Sequence, residues 1–144
     1  MKFTLHIVPD GEEEVIVYAK EKSALCEKIR QTCEEFSLEI VGYGEKEAVK
    51  LSAEEIVCFT VETGKVWART EKEIYAVKQR LYVLEEMLGE GFVKINQSCL
   101  ARISAIRKFE YSFSCALKVV FKNGYTDYVS RRCIKTVKER VGIV

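Results

Sequence analysis

From Phe92 to Tyr128 the chain contains no stretch with the periodicity of a helix. Apolar and charged residues alternate through Phe92-Val93-Lys94-Ile95, Leu100-Ala101-Arg102-Ile103 and Ile106 to Phe113, and Leu117 to Phe121 runs into Asn123-Gly124. The central positions of a tight hairpin turn favour positive φ, which Asn and Gly tolerate best, so this dipeptide predicts a hairpin with Tyr125 to Val129 as its return strand. The C-terminal third is thereby committed to antiparallel β structure, and the remainder must pack around it.

Upstream, Phe3 to Val8 and Val15 to Ala19 are β-branched segments separated by Pro9-Asp10-Gly11, which predicts two strands and a turn. A helix is expected from Ser23, a good N-cap, with Leu25, Ile29, Cys33 and Phe36 at helical spacing, followed by a strand from Leu38 to Tyr43. Residues 1–45 thus read as a small β-β-α-β unit, a packing or dimerisation extension joined to residues 46–144 without a Pro-rich or Ser-rich linker. Ser52-Ala53-Glu54-Glu55 has capping-box spacing, and Ile56 to Thr63 with Lys65 to Thr70 reads as a hairpin over Gly64. A second capping box, Thr70-Glu71-Lys72-Glu73, predicts a helix over about 71–89 with Ile74, Val77, Leu81, Leu84 and Leu88 as its core stripe. A last helix is expected after Ser130, carrying Ile134, Val137 and Val141 on one face. The fold class that results is α+β, mainly β and antiparallel, with short helices.

At 144 residues, with 48% hydrophobic and 31% charged residues, the chain is long enough to bury a core, and no apolar run approaches the roughly 18 residues of a membrane span. The N-terminus lacks a signal peptide's apolar block, so a cytoplasmic protein is expected. Six cysteines include no C-x-x-C pair and the only histidine is His6, a pattern that predicts no metal site. The thiols read as small core hydrophobes, with Cys99 and Cys133 the two whose basic neighbours make them worth testing for reactivity. There is no phosphate-cradling glycine loop and no nucleophile with a base beside it, so neither an enzyme nor a cofactor is expected.

Charge divides the chain. Residues 91–144 hold eleven Lys and Arg against Glu110, Asp127 and Glu139, a balance of +8, while the first ninety residues balance at −7. A basic segment of this kind suits a polyanion, because Lys and Arg that neutralise phosphates supply most of the non-specific affinity for nucleic acid. Within it, Asn96-Gln97-Ser98 interrupts two strand-like runs; amides at a loop tip can bond an adenine edge, and a solvated turn explains the same three residues. Ser130-Arg131-Arg132 places two guanidinium groups at the start of a helix, facing the positive end of its dipole, which is mildly unfavourable without an anion nearby, either a phosphate or a carboxylate of the same protein. Two other readings remain open. Phe109, Tyr111 and Phe113 alternate along one strand as a stacking row for single-stranded RNA would, and the basic face also suits an acidic protein partner.

Phe92-Val93-Lys94-Ile95-Asn96-Gln97-Ser98, then Leu100, Ile106, Val119-Val120-Phe121-Lys122-Asn123-Gly124 and Val129-Ser130-Arg131-Arg132 together resemble the LytTR DNA-binding domain, and Ile56 to Thr63, Val66 to Thr70 and Ile74 to Leu88 fit its opening strands and first helix. The resemblance covers about residues 46–144. It implies a bacterial transcription regulator with an elongated antiparallel β fold whose loops, not a recognition helix, enter successive major grooves of double-stranded DNA. The contacts it implies fall on Lys94, Asn96, Gln97, Ser98, Arg102, Lys122, Asn123, Arg131, Arg132 and Lys135, with Asn96 standing where many members carry histidine and Arg102 where asparagine is common. It also implies a stand-alone regulator acting as a homodimer, with a co-encoded membrane protein as a partner; the N-terminal 45 residues are too short for a receiver domain, so no phosphorylation switch is expected.

Overall fold

The computed structural model describes residues 2–11, 14–37, 39–112 and 116–143. The expected Leu38 start of a strand, together with Phe113 and Cys115, lies outside them, as does the side chain of Phe36. Helix α1 (Ala24–Ser37) is followed by the hairpin β1 (Glu39–Tyr43) and β2 (Ala48–Ser52), a short 3-10 turn over Ala53–Glu55, and the hairpin β3 (Ile56–Glu62) and β4 (Lys65–Thr70). Then come β5 (Ile74–Val77), helix α2 (Leu81–Leu88), β6 (Phe92–Asn96), β7 (Cys99–Arg102), β8 (Ile106–Tyr111), β9 (Leu117–Phe121), β10 (Thr126–Val129) and helix α3 (Ile134–Val141). The protein is mainly β, with a seven-stranded sheet in the order β2-β1-β5-β4-β3-β7-β6 and a three-stranded sheet in the order β10-β9-β8. Every strand pairing is antiparallel.

Two apolar cores explain this layering. On one face of the large sheet, Ile40, Ile56, Phe59, Phe92 and Leu100 pack with Leu84 and Leu88 of α2. On the other, Cys58, Val93, Ile95 and Cys99 meet Leu117, Val119 and Phe121 of the small sheet and Val137 of α3. Strand β3 is therefore covered on both sides, which is why Ile56 to Thr60 is an unbroken buried run and not an alternating one. Ser52 opens the 3-10 turn with the expected cap, its N–H donating to Glu55 Oε2 at 3.4 Å.

Three expectations are corrected. Phe3 to Val8 and Val15 to Ala19 are not strands: they pair with nothing among the described residues, and their large apolar side chains are exposed, so the N-terminal unit consists of α1 and β1 without its first two strands. Strand β1 pairs with β2 and touches β5 at Tyr43 and Ala76, so it belongs to the main sheet. The helix expected over 71–89 is two elements, because Ile74-Tyr75-Ala76-Val77 pairs with β4 and only Leu81–Leu88 is helical. The Thr70-Glu73 motif closes that hairpin instead of capping a helix: Thr70 Oγ1 accepts the Glu73 N–H at 3.0 Å, and the Thr70 N–H donates to Glu73 O at 2.9 Å. A cap and a tight turn satisfy the same groups over the same four residues, so the motif cannot tell them apart. The Asn123-Gly124 hairpin forms as expected, with Gly124 at φ 89° and Asn123 Oδ1 accepting the Tyr125 N–H at 3.0 Å.

Candidate nucleic-acid interface

The candidate residues other than Lys94 gather at two places. The first is built where the β6–β7 turn meets the end of β10. Asn96 Nδ2 donates to Asp127 Oδ1 at 3.2 Å and to Tyr128 O at 2.8 Å, while its Oδ1 accepts the Ser98 N–H at 2.8 Å. The Ser130 N–H donates to Ile95 O at 2.8 Å, and the Val61 N–H to Ser98 O at 2.9 Å. These bonds fix a turn whose exposed residues are Gln97 and Ser98, next to the exposed Arg131 and Arg132. Lys135 is exposed on α3, whereas Lys94, half-buried on β6, pairs with Leu100 on the α2 face of the sheet.

Arg131 and Arg132 stand in the turn that enters α3, not within its regular part: Ser130 O accepts the N–H of Cys133 at 2.9 Å and of Ile134 at 3.2 Å, and the helix begins at Ile134. Neither guanidinium has a carboxylate partner among the described residues. The carboxylate alternative for balancing this pair is thus not realised, and two positive charges remain at the amino end of a helix dipole, open to an external anion.

The second place lies at the opposite end of β3 and β4. Asn123 Nδ2 donates to Thr70 O at 3.2 Å, the Lys122 N–H to Ala105 O at 2.9 Å, and Arg102 Nε to Ile56 O at 2.6 Å. Arg102 also bonds Ser104 Oγ, so its guanidinium is occupied in tying β7 to the start of β3. Asn123 serves the hairpin in the same way, and Lys122 is the exposed cation of the group. Strand β3, seven residues long, runs between the two places, which puts them about 20 Å apart.

Two other basic residues of the segment, Lys108 and Lys118, are balanced internally. Glu110 lies 2.8 Å from Lys108 and 3.8 Å from Lys118, and the hydrogen bond from Lys108 is the main cause that holds its carboxyl below the usual range. Lys138 lies 5.8 Å from the Tyr111 ring centroid, and Arg140 bonds Glu90 O. Of the alternative RNA stacking row, Phe109 packs against the core and Tyr111 is exposed, while Phe113 lies outside the described residues. Beneath the first place, Cys99 is fully buried against Cys58, and the hydrogen bond with Cys58, followed by burial, pushes its thiol well above the ordinary range. That removes Cys99 as a reactive thiol, since the thiolate is the nucleophile. Asp127 and Tyr128 are contributors that the sequence did not single out, although Asp127 is one of three acids in the basic segment, a signal that it serves a specific partner.

The protein is thus a mainly antiparallel β module with exposed cations at its strand ends. The model of the LytTr DNA-binding domain matches residues 46–142, and the chain belongs to that family. It is 31% identical, over 72% of its length and 71% of theirs, to uncharacterised HTH-type transcriptional regulators of Staphylococcus aureus strains NCTC 8325 and COL. The fold is also that of a solved LytTr DNA-binding domain, from a methyl-accepting/DNA response regulator of Bacillus cereus, with a TM-score of 0.69, 13% identity, and coverage of 73% of this chain and 97% of that one.

Proposed function

We propose that the protein is a transcription regulator that binds double-stranded DNA sequence-specifically, acts as a homodimer in the bacterial cytoplasm, and reads the major groove with loops. The observation that carries this reading is the pairing of an exposed, hydrogen-bond-braced tip, Gln97-Ser98, with two uncompensated arginines, Arg131 and Arg132, at one end of the fold. Arginines without an internal counterion hold phosphate and fix the register, while a rigid polar tip is what base readout needs. The described helices are each separated by strands, so no helix-turn-helix pair is available to supply a recognition helix. At the second place Lys122 is the contact, whereas Asn123 holds the turn that presents it and Arg102 ties β7 to the start of β3. A co-encoded membrane protein is a partner in the same reading, and no described helix is itself long and apolar enough to cross a membrane.

Selection from a random duplex library in ~0.15 M salt tests this, because that salt suppresses non-specific phosphate binding. Recovery of a motif, repeated at about one helical turn, is expected. A folded protein that enriches no motif yet captures an acidic polypeptide overturns the reading in favour of a protein-docking face.

A further inference from the structure

We propose, on the basis of the DNA-binding reading above, that Arg69 is a positioning residue of the interface. It clamps the β9–β10 hairpin to β3 and β4, and so fixes where Gln97, Arg131 and Arg132 stand relative to Lys122.

Arg69 lies on β4 opposite Cys58 of β3, and its side chain is only 16% exposed. From there the side chain runs along β3: Nε donates to Thr60 Oγ1 at 3.1 Å, and Nη2 donates to Glu62 Oε1 at 2.9 Å. Its Cζ lies 4.2 Å from the centroid of the Tyr125 ring, which stacks in turn on Phe121 at 5.8 Å and an interplanar angle of 25°. One planar guanidinium is thus held by a hydroxyl and a carboxylate along its edge and by an aromatic ring on its face. Thr60 is itself buried, and this bond satisfies its hydroxyl.

A charge taken this far out of water is a poor source of stability. An apolar side chain of similar volume would fill the space without the desolvation cost, so what the guanidinium contributes is orientation. What it orients follows from the place of Tyr125 in the chain. Asn123, two residues earlier, bonds the carbonyl of Thr70, the neighbour of Arg69, and holds the turn that carries Lys122. Asp127, two residues later, accepts the Asn96 amide, as does the Tyr128 carbonyl. Ser130, whose N–H donates to Ile95 O, then leads into Arg131 and Arg132. Tyr125 is therefore the mid-point of the segment that joins the two cationic ends, and Arg69 ties that mid-point to the large sheet. An ammonium group has neither the fork nor the flat face that this contact uses, so lysine is not an equivalent here.

The test uses the full chain with Arg69→Met, which removes the charge, and Arg69→Lys, which keeps the charge and removes the fork. Glu62→Gln frees one edge of the guanidinium at a side chain that is 58% exposed, and it carries the test if Arg69→Met does not fold. In the absence of DNA, amide hydrogen exchange at Ser98, Tyr125 and Ser130 is expected to quicken by at least ~5-fold in both Arg69 variants, with β1 and β5 at wild-type rates. On the selected duplex both are expected to bind at least ~10-fold more weakly with the wild-type salt slope, since no phosphate contact is lost. Glu62→Gln should move both readouts in the same direction by less. Wild-type exchange at Ser98 and Ser130 in the folded variants overturns the proposal, as does exchange that quickens equally across the whole sheet, which is general destabilisation. Wild-type affinity despite loosened ends overturns it too. A slope flattened by about 1 in Arg69→Met and restored in Arg69→Lys overturns it by making Arg69 a phosphate contact. A wild-type chain that selects no duplex overturns the DNA reading and the interface role with it, while the exchange rates still report separately whether Arg69 clamps the hairpin.

Discussion

Asn96 and Gln97 carry the same amide in adjacent positions and are expected to behave oppositely when it is removed. Asn96 has three internal hydrogen bonds, and its truncation leaves Tyr128 O and the Ser98 N–H without their partner. Asn96→Ala should therefore cost about 1–3 kcal/mol of stability in urea denaturation and weaken DNA binding through a loosened turn. Gln97→Ala should stay within about 0.5 kcal/mol of the parent and change sequence preference in a repeated library selection. Equal stability of the two variants would remove the bracing role from Asn96. Residue type and the family resemblance marked Asn96 as a base reader, and its bracing role was not legible, because its partners lie 31 and 32 positions away and only the fold brings β10 to the turn. Tyr125 gives a second residue-scale prediction. Burial first, and then the nearby Asp127 charge, raise its phenol to about 12, while Arg69, 4.2 Å from the ring centroid, opposes them. An unfolded tyrosine ionises near 10, so this contribution to stability is fully present below that pH and is lost as pH rises through about 12. The urea midpoint should fall across this window, and fall less in Tyr125→Phe, which has no phenol to ionise.

Turns, more than strands, decide how these elements are arranged, and two glycines test that by different physics. Gly124 sits at φ 89° with nothing within 4 Å of a built Cβ, so Gly124→Ala is penalised by backbone strain alone, about 1–2 kcal/mol. Gly42 has no unusual φ, but a Cβ there would lie 2.7 Å from Tyr75 Cβ and 2.8 Å from Leu51 Cδ1, where β1 crosses the β5 side of the sheet. Gly42→Ala forces packed strands apart and should cost about 1–3 kcal/mol, reducing the cooperativity of unfolding along with the midpoint. A tolerated Gly42→Ala would mean that β1 is loosely held. The same scale shows where the sequence was legible. β4, β6, β9 and β10 follow from alternation, and the β3–β4 hairpin over Gly64 and the Asn123-Gly124 turn follow from turn chemistry, both of which are local. The segment from Ile74 to Leu88 did not, because Ile74 and Val77 fit a helical stripe and a strand equally well, and pairing with β4 settles the matter nonlocally. The N-terminal segments failed for the converse reason: strand-like pattern is not sufficient when no neighbouring strand is present to pair.

For the whole molecule, the consequence is that the basic segment is not one patch but two ends of a rigid sheet, with Lys108 and Lys118 between them already engaged by Glu110. Net charge of +8 in the segment therefore overstates the charge available to DNA. If Lys122, Arg131, Arg132 and Lys135 neutralise ~4 phosphates, the log–log dependence of affinity on salt has a slope near −3.6 per chain, far shallower than eleven independent cations would give. Each end should also be separable. Arg131→Ala/Arg132→Ala should flatten the slope by about 2 and weaken all sequences together, whereas Lys122→Ala should flatten it by about 1. Because the ends stand about 20 Å apart along the strands, hydroxyl-radical footprints on the selected duplex should show two protected patches per chain. The arginine pair should erase one patch and Lys122→Ala should thin the other. Loss of the same patch in both variants would collapse the two ends into one contact and require the protein to lie on DNA along a different axis. Loss of neither, with the slope unchanged, would place the phosphate contacts on the Lys108 face, where the internal ion pairs would first have to open.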